Sequence, residues 1–166
     1  MEDDASRGSR PATSQSAGIL VYRRPGGVLQ VLLVHPGGPF WRRRDRGAWQ
    51  IPKGQIAPGE SAEAAARREA EEELGVTLRG AVVPLGVLRQ AGGKIVECFA
   101  LEQDIDPSAI TSNRFELEWP PKSGRLRSFP EVDAGRWFEI AEAQEMMLPS
   151  QRSFLGRLGA HLAKKI

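Results

Sequence analysis

Three glutamates within five residues, Glu69, Glu72 and Glu73, are the groups in this chain best placed to do chemistry. They lie in Gly54–Val76, GQIAPGESAEAAARREAEEELGV, which opens as a Gly/Pro-bounded loop and then runs without a breaker to Gly75. Ser61 is a natural N-cap and Gly75 a natural helix stop, so the spacing predicts a helix over Ala62–Leu74. At about 100° per residue, Ala62, Ala66, Ala70 and Leu74 form an apolar stripe. Glu69, Glu72 and Glu73 share one arc beside it, and Glu71 points the opposite way, between solvent and Arg67. An acidic run on a helix is commonly a solvated face. Here, however, like charges at i, i+3 and i+4 repel, and they crowd the last turn, where the helix dipole disfavours anions. Arg68, one turn before Glu72, relieves only part of this. A hard divalent cation would relieve more, and carboxylate oxygens suit Mg²⁺ or Mn²⁺.

The spacing resembles a family signature. Gly54, five residues, Glu60, seven residues, Arg68-Glu69-Ala70, one residue, Glu72-Glu73, one residue and Gly75-Val76 is similar throughout to the Nudix box. Ala70 stands where the family takes any small or aliphatic residue. The resemblance extends over about Ala17–Ala163. It implies an α/β/α sandwich, a mixed β-sheet flanked by helices. It also implies a pyrophosphohydrolase acting on nucleoside diphosphates linked to a further group. The resemblance assigns Glu69, Glu72 and Glu73 as metal ligands with the Gly54 carbonyl beside them; it does not fix the general base, for which Glu72 and Glu69 are the best candidates within the box. Glu60 and Arg68 are then a loop-to-helix ion pair that aims the Gly54 carbonyl. A further metal carboxylate is expected at Glu131, with Glu97, Glu116 and Glu118 as competitors. Pro52-Lys53-Gly54 resembles the approach to the box in members that hydrolyse dinucleoside polyphosphates such as diadenosine tetraphosphate. A nucleoside triphosphate is the other leading substrate; sugar nucleotides, diphosphoinositol polyphosphates and capped RNA stay open. A non-catalytic Nudix module that senses a nucleotide or RNA is the alternative in another class.

Other elements must position this segment. Ala17–Arg23 and Leu29–His35 read as two buried strands joined at Pro25-Gly26-Gly27. Residues 36–47 form a loop whose Arg42, Arg43, Arg44 and Arg46, beside Trp41, are either a polyphosphate clamp with an aromatic base platform or a solvated basic turn. Lys53, on a short strand expected at 49–53, is a candidate phosphate contact. Leu85–Arg89 and Lys94–Glu102 read as a hairpin, and 106–130 as an irregular excursion with one short strand. Val132–Ile140 reads as the last strand, followed by a short helix at Glu142–Met147 and an amphipathic one at Gln151–Lys164.

The 166 residues suit one domain, expected over 17–166 behind a disordered polar leader at 1–16. One Cys excludes an internal disulfide and fits a cytoplasmic setting. Two His and one Cys exclude an ordinary structural zinc site. No apolar run approaches the roughly 18 residues of a membrane span. A net charge of +2 gives no argument for nucleic-acid binding, and the family resemblance makes a small-molecule nucleotide the expected partner.

Overall fold

The computed structural model describes residues 15–164. The first strand, β1 (Gln15–Arg23), is buried on both faces along nearly its whole length. That is why its sequence runs continuously apolar instead of alternating. It is followed by β2 (Gln30–Pro36), β3 (Lys53–Gln55) and the helix α1 (Ala62–Leu74). Then come β4 (Val83–Arg89), β5 (Ile95–Glu102), β6 (Arg114–Glu118), β7 (Leu126–Pro130) and β8 (Val132–Glu139). Two helices close the chain, α2 (Ile140–Met146) and α3 (Ser153–Ala163).

The main sheet is mixed and six-stranded, in the order β4-β5-β1-β2-β8 with β3 also paired to β1. β1 and β5 run parallel; the other pairs are antiparallel. One edge of β1 is divided: Val21–Arg23 pair with β2, and Ser16–Gly18 pair with β3. The chain between β2 and β3 therefore leaves the sheet and returns to it beside β1. That fork is where the site described below is built.

Each face of the sheet carries its own core. On one, Ala17, Ile19, Val21, Leu32 and Phe99 pack against Ala66, Ala70 and Leu74 of α1. On the other, Leu20, Leu33, Cys98 and Phe138 pack against Phe154, Leu155 and Leu158 of α3. This is the expected α/β/α sandwich, with helices flanking a mixed sheet.

The structure departs from the sequence reading in four places. Gln15 and Ser16 already pair with Ile95 and Val96, so the boundary expected between residues 16 and 17 falls inside a strand. The rest of the leader lies outside the described residues. The strand expected at 49–53 forms instead at Lys53–Gln55, with Trp49 and Gln50 making single bridges to Met147 and Val34. The 106–130 excursion holds two strands, β6 and β7, which pair only with each other. Finally, Glu71 is not free: its carboxylate accepts the Leu78 N–H at 2.8 Å, while Arg67 donates to the Leu78 and Gly80 carbonyls. Among the described residues no helix is long and apolar enough to cross a membrane.

Candidate active site

α1 is built as its sequence dictates. The Ser61 hydroxyl accepts the Ala64 N–H at 3.1 Å, satisfying one of the first-turn donors. Gly75 ends the helix in the left-handed region, at φ 68°. Ala65, Ala66, Ala70 and Leu74 are buried, and small residues there let α1 lie close to β1. The acidic face is thereby brought against the β1/β3 fork.

Close approach explains Gly54. A Cβ built on it would overlap the Glu69 carboxylate, so any side chain here would expel Glu69. Gly54 is registered opposite Ala17 in the β1–β3 ladder, which holds its peptide in place. The loop after it is clamped by Glu60 and Arg68. Arg68 Nε donates to Glu60 Oε2 at 2.8 Å and its Nη2 to Glu60 Oε1 at 2.9 Å, a two-point fork. The same guanidinium reaches the Gln55 carbonyl at 3.2 Å and Glu69 Oε1 at 2.8 Å. Glu60 Oε1 also accepts the Ala57 N–H at 3.0 Å. Hydrogen bonding by Arg68, then by the Ala57 amide, draws the Glu60 carboxyl down to about 2.

The three helix glutamates are held unequally. Glu69 is bound by Arg68. Glu73 Oε1 accepts the Lys53 N–H at 3.1 Å. Glu72 makes only a looser ion pair with Arg68, at 3.5 Å, and its side chain is 44% exposed. Burial raises the Glu73 carboxyl, with Glu131 and Glu69 adding to the rise and Lys53 opposing it. Burial also raises Glu131, and there the charges of Glu69 and Glu72 add to it. Glu131 thus shares the field of the α1 carboxylates although it comes from the far end of β7. Burial lowers the Lys53 ammonium, helped by Lys94 and opposed by Glu73 and Glu69.

Three of these groups border a cavity of about 480 Å³, whereas Glu69 and Glu72 are not part of its lining. Glu73, Glu131 and Lys53 line it together with Trp41, Gln50 and Lys94. Gln90 and Ser150 line it too, joined by a 2.6 Å hydrogen bond. No motif marks Gln90, Lys94 or Ser150; they arrive through the β4–β5 turn and the segment before α3. Of the competing carboxylates, neither Glu97, Glu116 nor Glu118 lines the cavity. The Glu118 carboxylate is engaged instead by the Gly124 N–H.

The structure does not bring Arg42, Arg43 and Arg44 to this cavity. They border a separate depression of about 310 Å³ with His35, Asp45, Trp49 and Asp133. The reason is local. Loop 37–47 folds into successive turns, with the Trp41 N–H on the Gly38 carbonyl and the Arg44 N–H on the Trp41 carbonyl. Buried His35 ties the loop down, one ring nitrogen on the Arg44 carbonyl and the other 2.9 Å from Asp133. The Trp49 indole donates to Asp45 at 2.8 Å. Trp41 consequently faces the cavity and the three guanidinia do not.

Among the described residues no three acidic, His or Cys side chains converge as a ready-made metal cage. The donor chemistry nevertheless suits a hard cation. All the candidate ligands are oxygens, and burial raises Glu73 and Glu131, with the charge of neighbouring carboxylates adding to the rise, a repulsion a cation would relieve.

Fold and site together define an α/β sandwich with an acidic helix beside a cleft of about 480 Å³. The NUDIX-domain family profile matches residues 12–158. An RNA pyrophosphohydrolase of Caulobacter vibrioides is 33% identical over 137 residues, covering 74% of this chain and 76% of that protein. An octanoyltransferase of Myxococcus xanthus is 34% identical over 145 residues, or 87% of this chain, but the match spans only 36% of that longer protein. Among solved structures, a Caenorhabditis elegans Ap4A hydrolase binary complex has a TM-score of 0.63 at 23% identity, covering 92% of this chain and 99% of that one. The Nudix domain of Shewanella oneidensis NrtR, solved with ADP ribose, also scores 0.63, at 18% identity over 98% and 99% of the two chains. At such identities the structural likeness speaks to the fold. The chain belongs to the Nudix hydrolase family, whose members generally use divalent metal cations. It is a hydrolase acting on phosphoric anhydride bonds.

Proposed function

We propose that this protein is a Mg²⁺- or Mn²⁺-dependent pyrophosphohydrolase that cleaves a nucleoside diphosphate linked to a further group. The substrate we favour is a dinucleoside polyphosphate such as diadenosine tetraphosphate, or a nucleoside triphosphate. The observation that carries this reading is the joint placement of Glu73, Glu131, Lys53 and Trp41 around one cavity beside the Arg68-braced Glu69. A divalent cation at Glu69, Glu72, Glu73, Glu131 and the Gly54 carbonyl would neutralise the polyphosphate and activate water toward phosphorus.

The chain's own residues do the rest. Lys53 binds a phosphate oxygen, and its lowered ammonium pKa reflects how little water surrounds it. Trp41 forms the wall on which a base stacks. Arg68 and Glu60 act through others: they hold Glu69 and the loop carrying Gly54 in register. Glu72 takes the proton from the attacking water, because Glu69 is committed to Arg68 and Glu73 to the Lys53 amide while Glu72 stays loosely held and open to solvent. Incubation with a nucleotide panel and Mg²⁺, with products identified by mass spectrometry, tests the reading. Turnover of diadenosine tetraphosphate or a triphosphate that stops in EDTA is the expected result. Tight nucleotide binding without hydrolysis would establish the sensor module instead.

A second reading has its own support. The Caulobacter relative named for RNA pyrophosphohydrolysis aligns over 76% of its length, so a polyphosphate at an RNA 5′ end is a further candidate substrate. It belongs in the same panel.

A further inference from the structure

One surface beside the cavity is unused by the chemistry above. In the β6–β7 hairpin, Phe115 lies opposite Phe129 and Leu117 opposite Arg127. Directly opposed residues of an antiparallel pair share a face, and every second residue along a strand returns to it. The Trp119 N–H donates to the Arg125 carbonyl at 2.9 Å, carrying the pairing one step further. Trp119, Arg125 and Arg127 therefore share a face with the two phenylalanines. Arg114, Glu116, Glu118 and Leu126 take the other face. Both glutamates thus lie on one side of the hairpin, and the aromatic rings with Arg125 and Arg127 on the other.

The aromatic and basic side leans on the loop after β2. Gly38 lies against the Phe115 ring, and the Phe40 ring meets Trp119 edge-on with centroids 5.4 Å apart. Phe40 is nevertheless 63% exposed, and Arg125 and Arg127 are exposed beside it. Loop 37–47 carries four Arg against one Asp, and residues 114–130 carry four Lys or Arg against two Glu. The whole chain has a net charge of only +2, so the rest of the molecule is net acidic. This surface also adjoins the cavity by direct chain continuity. Phe40 precedes Trp41, and Pro130 precedes Glu131; Trp41 and Glu131 both line the cavity.

We propose that Phe40, Trp119, Arg125 and Arg127 form a binding surface for single-stranded RNA, whose 5′ polyphosphate end occupies the cavity. Exposed aromatic rings stack on unpaired bases of any identity, and guanidinium groups follow the phosphate chain. The proposal rests on the polyphosphate reading of the cavity for the direction in which the strand runs. An acidic peptide would use the arginines but leave the Phe40 ring without a partner.

The test is fluorescence anisotropy of the full chain in EDTA, which blocks turnover. The probes are a 5′-triphosphorylated ten-nucleotide RNA, the same RNA with a 5′-hydroxyl, ATP as competitor, and a polyglutamate peptide. The triphosphorylated RNA is expected to bind at least tenfold more tightly than ATP. The triple variant F40A/R125A/R127A is expected to lose at least tenfold in affinity for both RNAs. Its log–log salt slope should flatten by about 1.4, the effect of two lost phosphate contacts on a single strand. Its Mg²⁺-dependent turnover of ATP and diadenosine tetraphosphate should be unchanged. R125E/R127E, which leaves the aromatic pair intact, should show the same loss of RNA affinity. RNA binding no tighter than ATP, affinity untouched in both variants, or polyglutamate binding as tight as RNA would overturn the proposal. Absence of all hydrolysis with RNA binding intact would strike the cavity reading alone. Hydrolysis of nucleotides without RNA binding would strike the surface alone.

Discussion

At the scale of single residues, the glutamates of α1 separate by how tightly each is held. Glu72 is the loosest. Glu72→Gln is therefore expected to lower kcat by about 10²- to 10⁴-fold, the usual contribution of a positioned proton acceptor, with KM little changed; steady-state kinetics with saturating Mg²⁺ checks this. Near-normal turnover would pass the role to another carboxylate. Glu60 makes a different prediction. Its carboxyl is drawn down to about 2 by Arg68. A depressed folded-state value means that its stabilising contribution is complete above the ordinary carboxylate range, near pH 4.5, and is lost as pH falls toward 2. Thermal melts between pH 6 and pH 2 should therefore show a steeper acid loss for the native chain than for Glu60→Gln. Parallel curves would mean that the Glu60–Arg68 fork contributes nothing to the fold.

At the scale of elements, the box helix was legible almost residue for residue, because its boundaries depend on local chemistry: a serine that caps, a glycine that stops, and an alanine stripe between them. Ser61→Ala is expected to lower stability by about 1 kcal/mol, read as a shift in denaturant midpoint at constant m-value. Glu71 shows what a helical wheel cannot see. Projection places it toward solvent, yet the chain after Gly75 turns back and gives it the Leu78 amide to accept. Glu71→Ala should accordingly cost about 1 kcal/mol while sparing catalysis, measured by melting temperature and kcat together. The basic loop misled for the same reason. Four arginines beside a tryptophan suggest a clamp, but their direction is set by turns and by His35, which lies at the end of β2 and has no motif to announce it. The β6–β7 pairing was equally hidden, since its strands are short, rich in charge and paired only with each other.

For the whole molecule, the layered sandwich followed from buried strands and amphipathic helices, whereas the strand order did not. Nothing in the run of apolar residues says that β1 pairs in parallel with β5. Composition also concealed the distribution of charge. A net +2 averages an acidic body with a basic edge, and only the fold separates them. Cys98 belongs to this scale too, because it is sealed in the core between the sheet and α3. It is fully buried between β1 and β4, and burial pushes its thiol well above the usual range. A maleimide reagent is expected to leave the native protein unlabelled and to modify the single thiol once denaturant unfolds it. Rapid labelling in buffer would show that the sheet opens locally around β5.

The divided edge of β1 has a consequence for synthesis on the ribosome. β1 is made before the strands that flank it, β2 and β3 on one side and β5 on the other. Until residue 102 has emerged, one side of β1 has no partner. At roughly 5–20 residues per second that interval lasts several seconds. Throughout it the nascent chain exposes an apolar strand edge of the kind that chaperones bind and that neighbouring chains join.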